Sequence, residues 1–218
     1  MTYSELENKS NQLANALLSL DLGKGAKIGI ISTNRPEYAT AFFAVARTGY
    51  VLVNVSVLYA EDELSYVLDK ADVEVLLFQD IFSEKVLAVA QGLSKLKALI
   101  SIGGAIPGTT FLSDFMEGHS SNAPAIELSE NDPFCMTYTG GTTGRPKGVL
   151  FHHKGRAITA HTVMVEEAID ERDVVGPTSN TSRIPWNQPI AGQGGGQFGT
   201  TDGEQGGQCY SDHCQGSY

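Results

Sequence analysis

From Tyr3 to Ile102 the chain alternates helical stripes with short apolar runs, and that order constrains its architecture more than any other feature. Ser4 and Glu7 stand at capping-box spacing ahead of Leu6, Leu13, Leu17 and Leu20, which predicts a first helix stopped by Gly23 and Gly25. Lys27 to Ile31 reads as a buried strand. Asn34-Arg35-Pro36-Glu37 opens a second helix with Pro36 in its first turn and Gly49 just beyond its end. Tyr50 to Val55 is β-branched and apolar, a second strand. The pattern then repeats: helix from Ala60 to Ala71, strand from Val73 to Phe78, helix from Ile81 to Leu93, strand from Ala98 to Ile102. Strands that are apolar throughout and separated by helices imply βαβ units and a parallel sheet buried on both faces. The expected class is α/β, a layered parallel sheet of Rossmann-like type with right-handed crossovers.

Residues 103–131 are loop-rich, with a weak element at Thr110 to Met116. Asp132 to Thr139 is predicted as a further strand, Gly148 to Phe151 as a short one and Arg156 to Ile169 as a modest helix, since Ile158, Thr159, Thr162 and Val163 are β-branched. Beyond about Val175 the character changes. Residues 176–218 are rich in Gly, Gln, Ser and Thr, with no sustained period and almost no Leu, Ile or Val. Such a segment buries too little apolar surface to offset its chain entropy, so it is expected to be a disordered tail, out of frame or otherwise foreign to the rest. The division expected is therefore residues 1–175 as a partial domain and residues 176–218 as the tail.

Composition narrows the function. A hydrophobic share of 41% suits a globular chain, and a net charge of −10 with a pI near 4.9 offers no basic surface for nucleic acid. Three cysteines are too few and too scattered for a secreted disulfide framework, so a reducing, cytoplasmic setting is expected. No signal peptide and no transmembrane segment are read in the sequence.

The chemistry is concentrated in Tyr138-Thr139-Gly140-Gly141-Thr142-Thr143-Gly144-Arg145-Pro146-Lys147-Gly148. A strand running into such a loop can cradle an anion: glycines let the backbone turn so that successive amides converge on one phosphate oxygen. Threonine hydroxyls add donors, and Lys147 supplies a point charge suited to phosphate. Gly148 follows Lys147 where a Walker A loop has Ser or Thr. Physical reasoning alone leaves a phosphate loop of unknown type.

The motif resembles the signature of the adenylate-forming superfamily, Tyr-Thr-Ser-Gly-Thr-Thr-Gly-x-Pro-Lys-Gly, with Gly140 where Ser is commoner. The glycine variant resembles long-chain fatty acyl-CoA ligases. Thr2-Tyr3-Ser4-Glu5-Leu6, Asn34-Arg35-Pro36-Glu37-Tyr38, Ala44 to Gly49, Val51 to Asn54 and Glu61 to Leu64 continue the likeness, in consistent order over residues 2–175. The resemblance implies an incomplete N-terminal subdomain of the adenylate-forming ligase fold. It implies two steps: a carboxylic acid attacks ATP to give acyl-adenylate, and coenzyme A then displaces AMP. Fatty acid is the acid class it favours; a peptide-synthetase adenylation domain or aryl-acid ligase is the rival, and a non-catalytic nucleotide-binding fragment the rival of another class. Thr139, Gly140, Gly141, Thr142, Thr143, Gly144 and Lys147 carry over as ATP ligands. Mg2+ would accompany the nucleotide, although its usual carboxylate lies further along the family's chain. Parts of the family beyond the loop find no match in residues 176–218, so the chain is expected to be truncated and inactive by itself.

Other reactive residues have plainer expectations. His152 and His153 are expected to be surface residues closing the short strand, and His161 an exposed helix residue. Cys135 is expected to pack. Cys209, Asp212, His213 and Cys214 have ligand-like types in a segment without a folded frame, so no metal site is assigned. Glu61, Asp62 and Glu63 suit a helix dipole rather than acid–base work.

Overall fold

The computed structural model describes residues 1–139 and 145–169. The first helix, α1 (Tyr3–Leu18), begins one step earlier than its expected cap. Thr2 is the N-cap: its Oγ1 accepts from Glu5 N at 3.2 Å while Glu5 Oε2 accepts from Thr2 N at 2.8 Å. The capping box is thus Thr2 and Glu5, correcting Ser4 and Glu7; overlapping boxes of the same spacing compete here, and the earlier one closes.

The remaining elements follow the predicted alternation: β1 (Lys27–Ile31), α2 (Pro36–Ala46), β2 (Val51–Asn54), α3 (Glu61–Lys70) and β3 (Val73–Gln79). A 3-10 turn at Asp80–Phe82 leads into α4 (Ser83–Ala90), which divides the single helix expected from Ile81 to Leu93. Then come β4 (Ala98–Ile102), β5 (Thr110–Phe111), α5 (Leu112–Met116), β6 (Pro133–Thr139), β7 (Lys147–His152) and α6 (His153–Glu166). α6 starts at His153 rather than Arg156.

Among the described residues seven strands form one sheet in the order β5-β4-β3-β1-β2-β6-β7, with every pairing parallel except the antiparallel β6–β7 hairpin. Alternation along each strand sorts the core into two layers. Leu52, Val75, Leu77 and Ile100 face α1 and α2, where Leu13, Leu17, Phe42 and Val45 meet them. Val53, Leu76 and Phe78 face α3 and α4, against Leu64, Val67, Leu68 and Val86. Gly29 lies on the second face because a Cβ there would meet Leu76 Cδ1 at 2.9 Å and Val73 Cγ1 at 3.1 Å.

The parallel strands end together, so the turns after β1, β2, β3 and β6 share one edge of the sheet. In open α/β sheets that carboxyl edge is where ligands bind. The glycine-rich loop leaves from it.

Candidate phosphate-binding site

Two of the sequence-predicted ligands are brought face to face. Thr139 ends β6, Lys147 begins β7, and the two are register partners at the open end of the hairpin. Both are exposed, and Thr139 Oγ1 donates to the Lys147 carbonyl at 3.4 Å. That bond turns the threonine toward its partner strand. Gly140, Gly141, Thr142, Thr143 and Gly144 lie outside the described residues. The two ends of the loop are therefore fixed at one rung, at the carboxyl edge of the sheet.

Three features around this rung were not anticipated from sequence. Gly148 has a packing duty: it faces Tyr138 across the hairpin, and a Cβ would stand 2.9 Å from Met136 Sδ and 3.2 Å from Tyr138 Cζ. Tyr138 is thereby pressed into the α3 layer of the core, where burial pushes its phenol pKa up. Arg145, at the variable position of the motif, places its guanidinium 5.0 Å from the ring centroid of Tyr66 on α3. Finally, Asn54 at the end of β2 accepts from Tyr38 Oη at 2.7 Å and donates to Thr137 Oγ1 at 3.3 Å. An asparagine ending the apolar run after Tyr50 was the signal available for it.

The histidines separate. His152 ends β7 exposed, and His161 is exposed on α6, as expected of both. His153 is not a surface residue: it is half-buried, its ring stacked on Phe134 at 5.0 Å, with burial holding its pKa below the ordinary value. The reason is position, since it opens α6 over the β6 strand rather than closing β7. Cys135 is fully buried in the α1–α2 layer with its thiol pKa pushed up by burial, which suits packing and not nucleophilic attack. Glu61, Asp62 and Glu63 occupy the first turn of α3, as expected of dipole-complementing residues. Cys209, Asp212, His213 and Cys214 lie outside the described residues. Among the described residues no three His, Cys, Asp or Glu side chains converge as a metal would require, so none is assigned to Mg2+.

A hairpin whose mouth presents threonine and lysine, at the carboxyl edge of a parallel sheet, has the chemistry of a phosphate grip. Comparison with known proteins agrees in family. The sequence profile of the AMP-binding enzymes matches residues 1–182. The chain belongs to the AMP-binding enzyme family. It is 32% identical over 164 residues to the medium/long-chain-fatty-acid–CoA/3-oxocholest-4-en-26-oate–CoA ligase of Mycobacterium marinum, covering 71% of this chain and 30% of that protein. A medium-chain-fatty-acid–CoA ligase of Ectopseudomonas oleovorans is 25% identical over 199 residues, covering 87% of this chain and 36% of that one. Among solved structures, an anthranilate CoA ligase in complex with anthranoyl-AMP superposes with a TM-score of 0.80 at 26% identity, covering 84% of this chain and 36% of its own. This AMP-binding chain thus spans about a third of the length of the relatives it matches. Its fold is that of the adenylate-forming ligases, and its relatives are acid–CoA ligases. Among the described residues no helix is long and apolar enough to cross a membrane.

Proposed function

We propose that this chain carries the ATP-phosphate loop of an acid–CoA ligase that activates a carboxylic acid, in the first instance a fatty acid, as acyl-adenylate and then acyl-CoA. The observation that carries the reading is the opposed pair Thr139 and Lys147 at the mouth of the β6–β7 hairpin. In that reading Thr139, Gly140, Gly141, Thr142, Thr143, Gly144 and Lys147 bind the nucleotide, with Mg2+ accompanying it. A carboxylate oxygen of the acid forms a bond to the α-phosphorus, and the bond from that phosphorus to the bridging oxygen of pyrophosphate breaks. Charge builds on the departing pyrophosphate, and donors and a cation already in place offset it without reorganising. The coenzyme A thiol then attacks the acyl carbonyl, loses its proton and expels AMP. The cytoplasm, where ATP and coenzyme A are held, is the compartment this reading assigns.

Two of the relatives named above act on fatty acids by name, which favours that acid class here. An aryl acid is the second reading, favoured by the anthranilate ligase among the structural neighbours.

The test is calorimetric titration of the 218-residue chain with ATP and with pyrophosphate, beside ATP–pyrophosphate exchange with a panel of fatty and aryl acids. Binding of both ligands is expected, with no acid-dependent exchange by the isolated chain. Lys147→Ala should weaken both by about tenfold or more, the worth of a hydrogen bond to a charged group, and Lys147→Arg by less. Unchanged affinity in Lys147→Ala would defeat the assignment, and acid-dependent exchange above background would overturn the expectation of inactivity.

A further inference from the structure

We propose that Asn54 is a positioning residue of the phosphate loop, holding β6 in register at the last rung where β2 supports it; the proposal rests on the loop reading above. Asn54 is 2% exposed at the end of a strand whose other residues, Val51, Leu52 and Val53, are apolar and fully buried. Both ends of its amide are used: Oδ1 accepts from Tyr38 Oη, and Nδ2 donates to Thr137 Oγ1. Tyr38 is itself buried at 3% exposure on α2, so the chain of contacts runs from helix through β2 to β6.

The rung matters more than the bonds. β2 and β6 pair through Leu52↔Cys135, Val53↔Met136 and Asn54↔Thr137, and the pairing stops there. The next residues, Tyr138 and Thr139, are laddered to Gly148 and Lys147 of the edge strand alone. On the interior side, Asn54–Thr137 is the last strand pairing before Thr139, and the buried ring of Tyr138 is the only other interior anchor nearer to it among the described residues.

A valine at this position would complete the apolar strand. The amide does something valine cannot: it is satisfied only when Tyr38 and Thr137 both stand in their observed places. A slip of β6 by one residue sets Met136 or Tyr138 opposite Asn54 and leaves a buried amide without its partner. Asn54 thus selects one register, and that register sets where the loop begins. The reacting phosphates would be met by Thr139 and Lys147; Asn54 acts through them.

The experiment compares the full chain with Asn54→Val, Thr137→Val and Thr137→Ser, measuring pyrophosphate affinity by calorimetry and the urea midpoint of each. Thr137→Val preserves shape and removes the hydroxyl, whereas Thr137→Ser keeps it. Both valine variants are expected to bind pyrophosphate about three- to tenfold more weakly than their folded fraction accounts for, with Thr137→Ser close to the parent. If Asn54→Val does not fold, the Thr137 pair decides the matter by itself. Valine variants that bind like the parent, or lose affinity only in step with unfolding, overturn the proposal. A parent chain that binds neither ATP nor pyrophosphate overturns the loop reading itself, an outcome visible without any variant.

Discussion

A Cβ at Gly148 would press on the thioether of Met136 and the ring of Tyr138, so one of the two side chains must shift to admit it. Gly148→Ala is expected to destabilise the fold by about 1 kcal/mol or less, because the Met136 side chain can yield, read as a slightly lower urea midpoint at unchanged m-value. The glycine ending the motif is thus held by packing, while those inside the loop answer to phosphate in the proposed reading. His153 gives a pH dependence of definite sign. Burial lowers its pKa against the raising influence of Asp132, with His152 lowering it further. The unfolded chain takes up the proton first as pH falls through about 6.5, so stability drops from there down to the lower folded value and is flat above. Melting temperatures between pH 5 and 8 should show this slope, and His153→Phe, which keeps the stack on Phe134, should lose it.

At the scale of the element, α1 is capped by Thr2 and Glu5 where the sequence reading places Ser4 and Glu7. Thr2→Ala should lower stability by about 1 kcal/mol, the worth of an N-cap, whereas Ser4→Ala should fall within about 0.5 kcal/mol of zero in the same thermal melts. β1 and β4 were legible to the residue, because Lys27–Ile31 and Ala98–Ile102 are short apolar runs bounded by polar or turn residues. The cap of α1 was not, because Thr2-x-x-Glu5 and Ser4-x-x-Glu7 overlap at the same spacing and spacing does not rank them. The weak element at Thr110 to Met116 proved composite, a two-residue strand at the sheet edge running into α5. For the site, the ligand types at Thr139 and Lys147 could be read directly, whereas their pairing across a hairpin could not. Neither could Asn54 and Thr137, which lie 83 residues apart and meet only once the sheet has assembled.

For the whole molecule the strand order was the least legible property, since periodicity assigns strands and not neighbours. Among the described residues the order places β7 at the sheet edge with Val149 and Leu150 about two-fifths exposed, and α6 shows Ile158 and Val165 at 56% and 79% exposure. An edge strand with apolar residues in solvent templates association. If this face stays uncovered, the chain should self-associate with rising concentration in sedimentation velocity runs, and Leu150→Lys should shift it toward monomer with little change in melting temperature.

One further consequence lies in α1. Its side-chain amides reach far along the sequence: Asn11 Nδ2 donates to Ser121 O, Gln12 Nε2 to Met116 O, and Asn15 Nδ2 to both Ser120 O and Asn122 O. These partners are 104 to 110 residues later in the chain. Made from its N-terminus, the protein holds its first helix ready for on the order of 5–20 s before the carbonyls that will engage it leave the ribosome. During that interval the amides of Asn11, Gln12 and Asn15 are served by water. α1 can pack on α2 as soon as both have emerged, and residues 116–122 then fasten to its outer side before β6 and β7 arrive to extend the sheet.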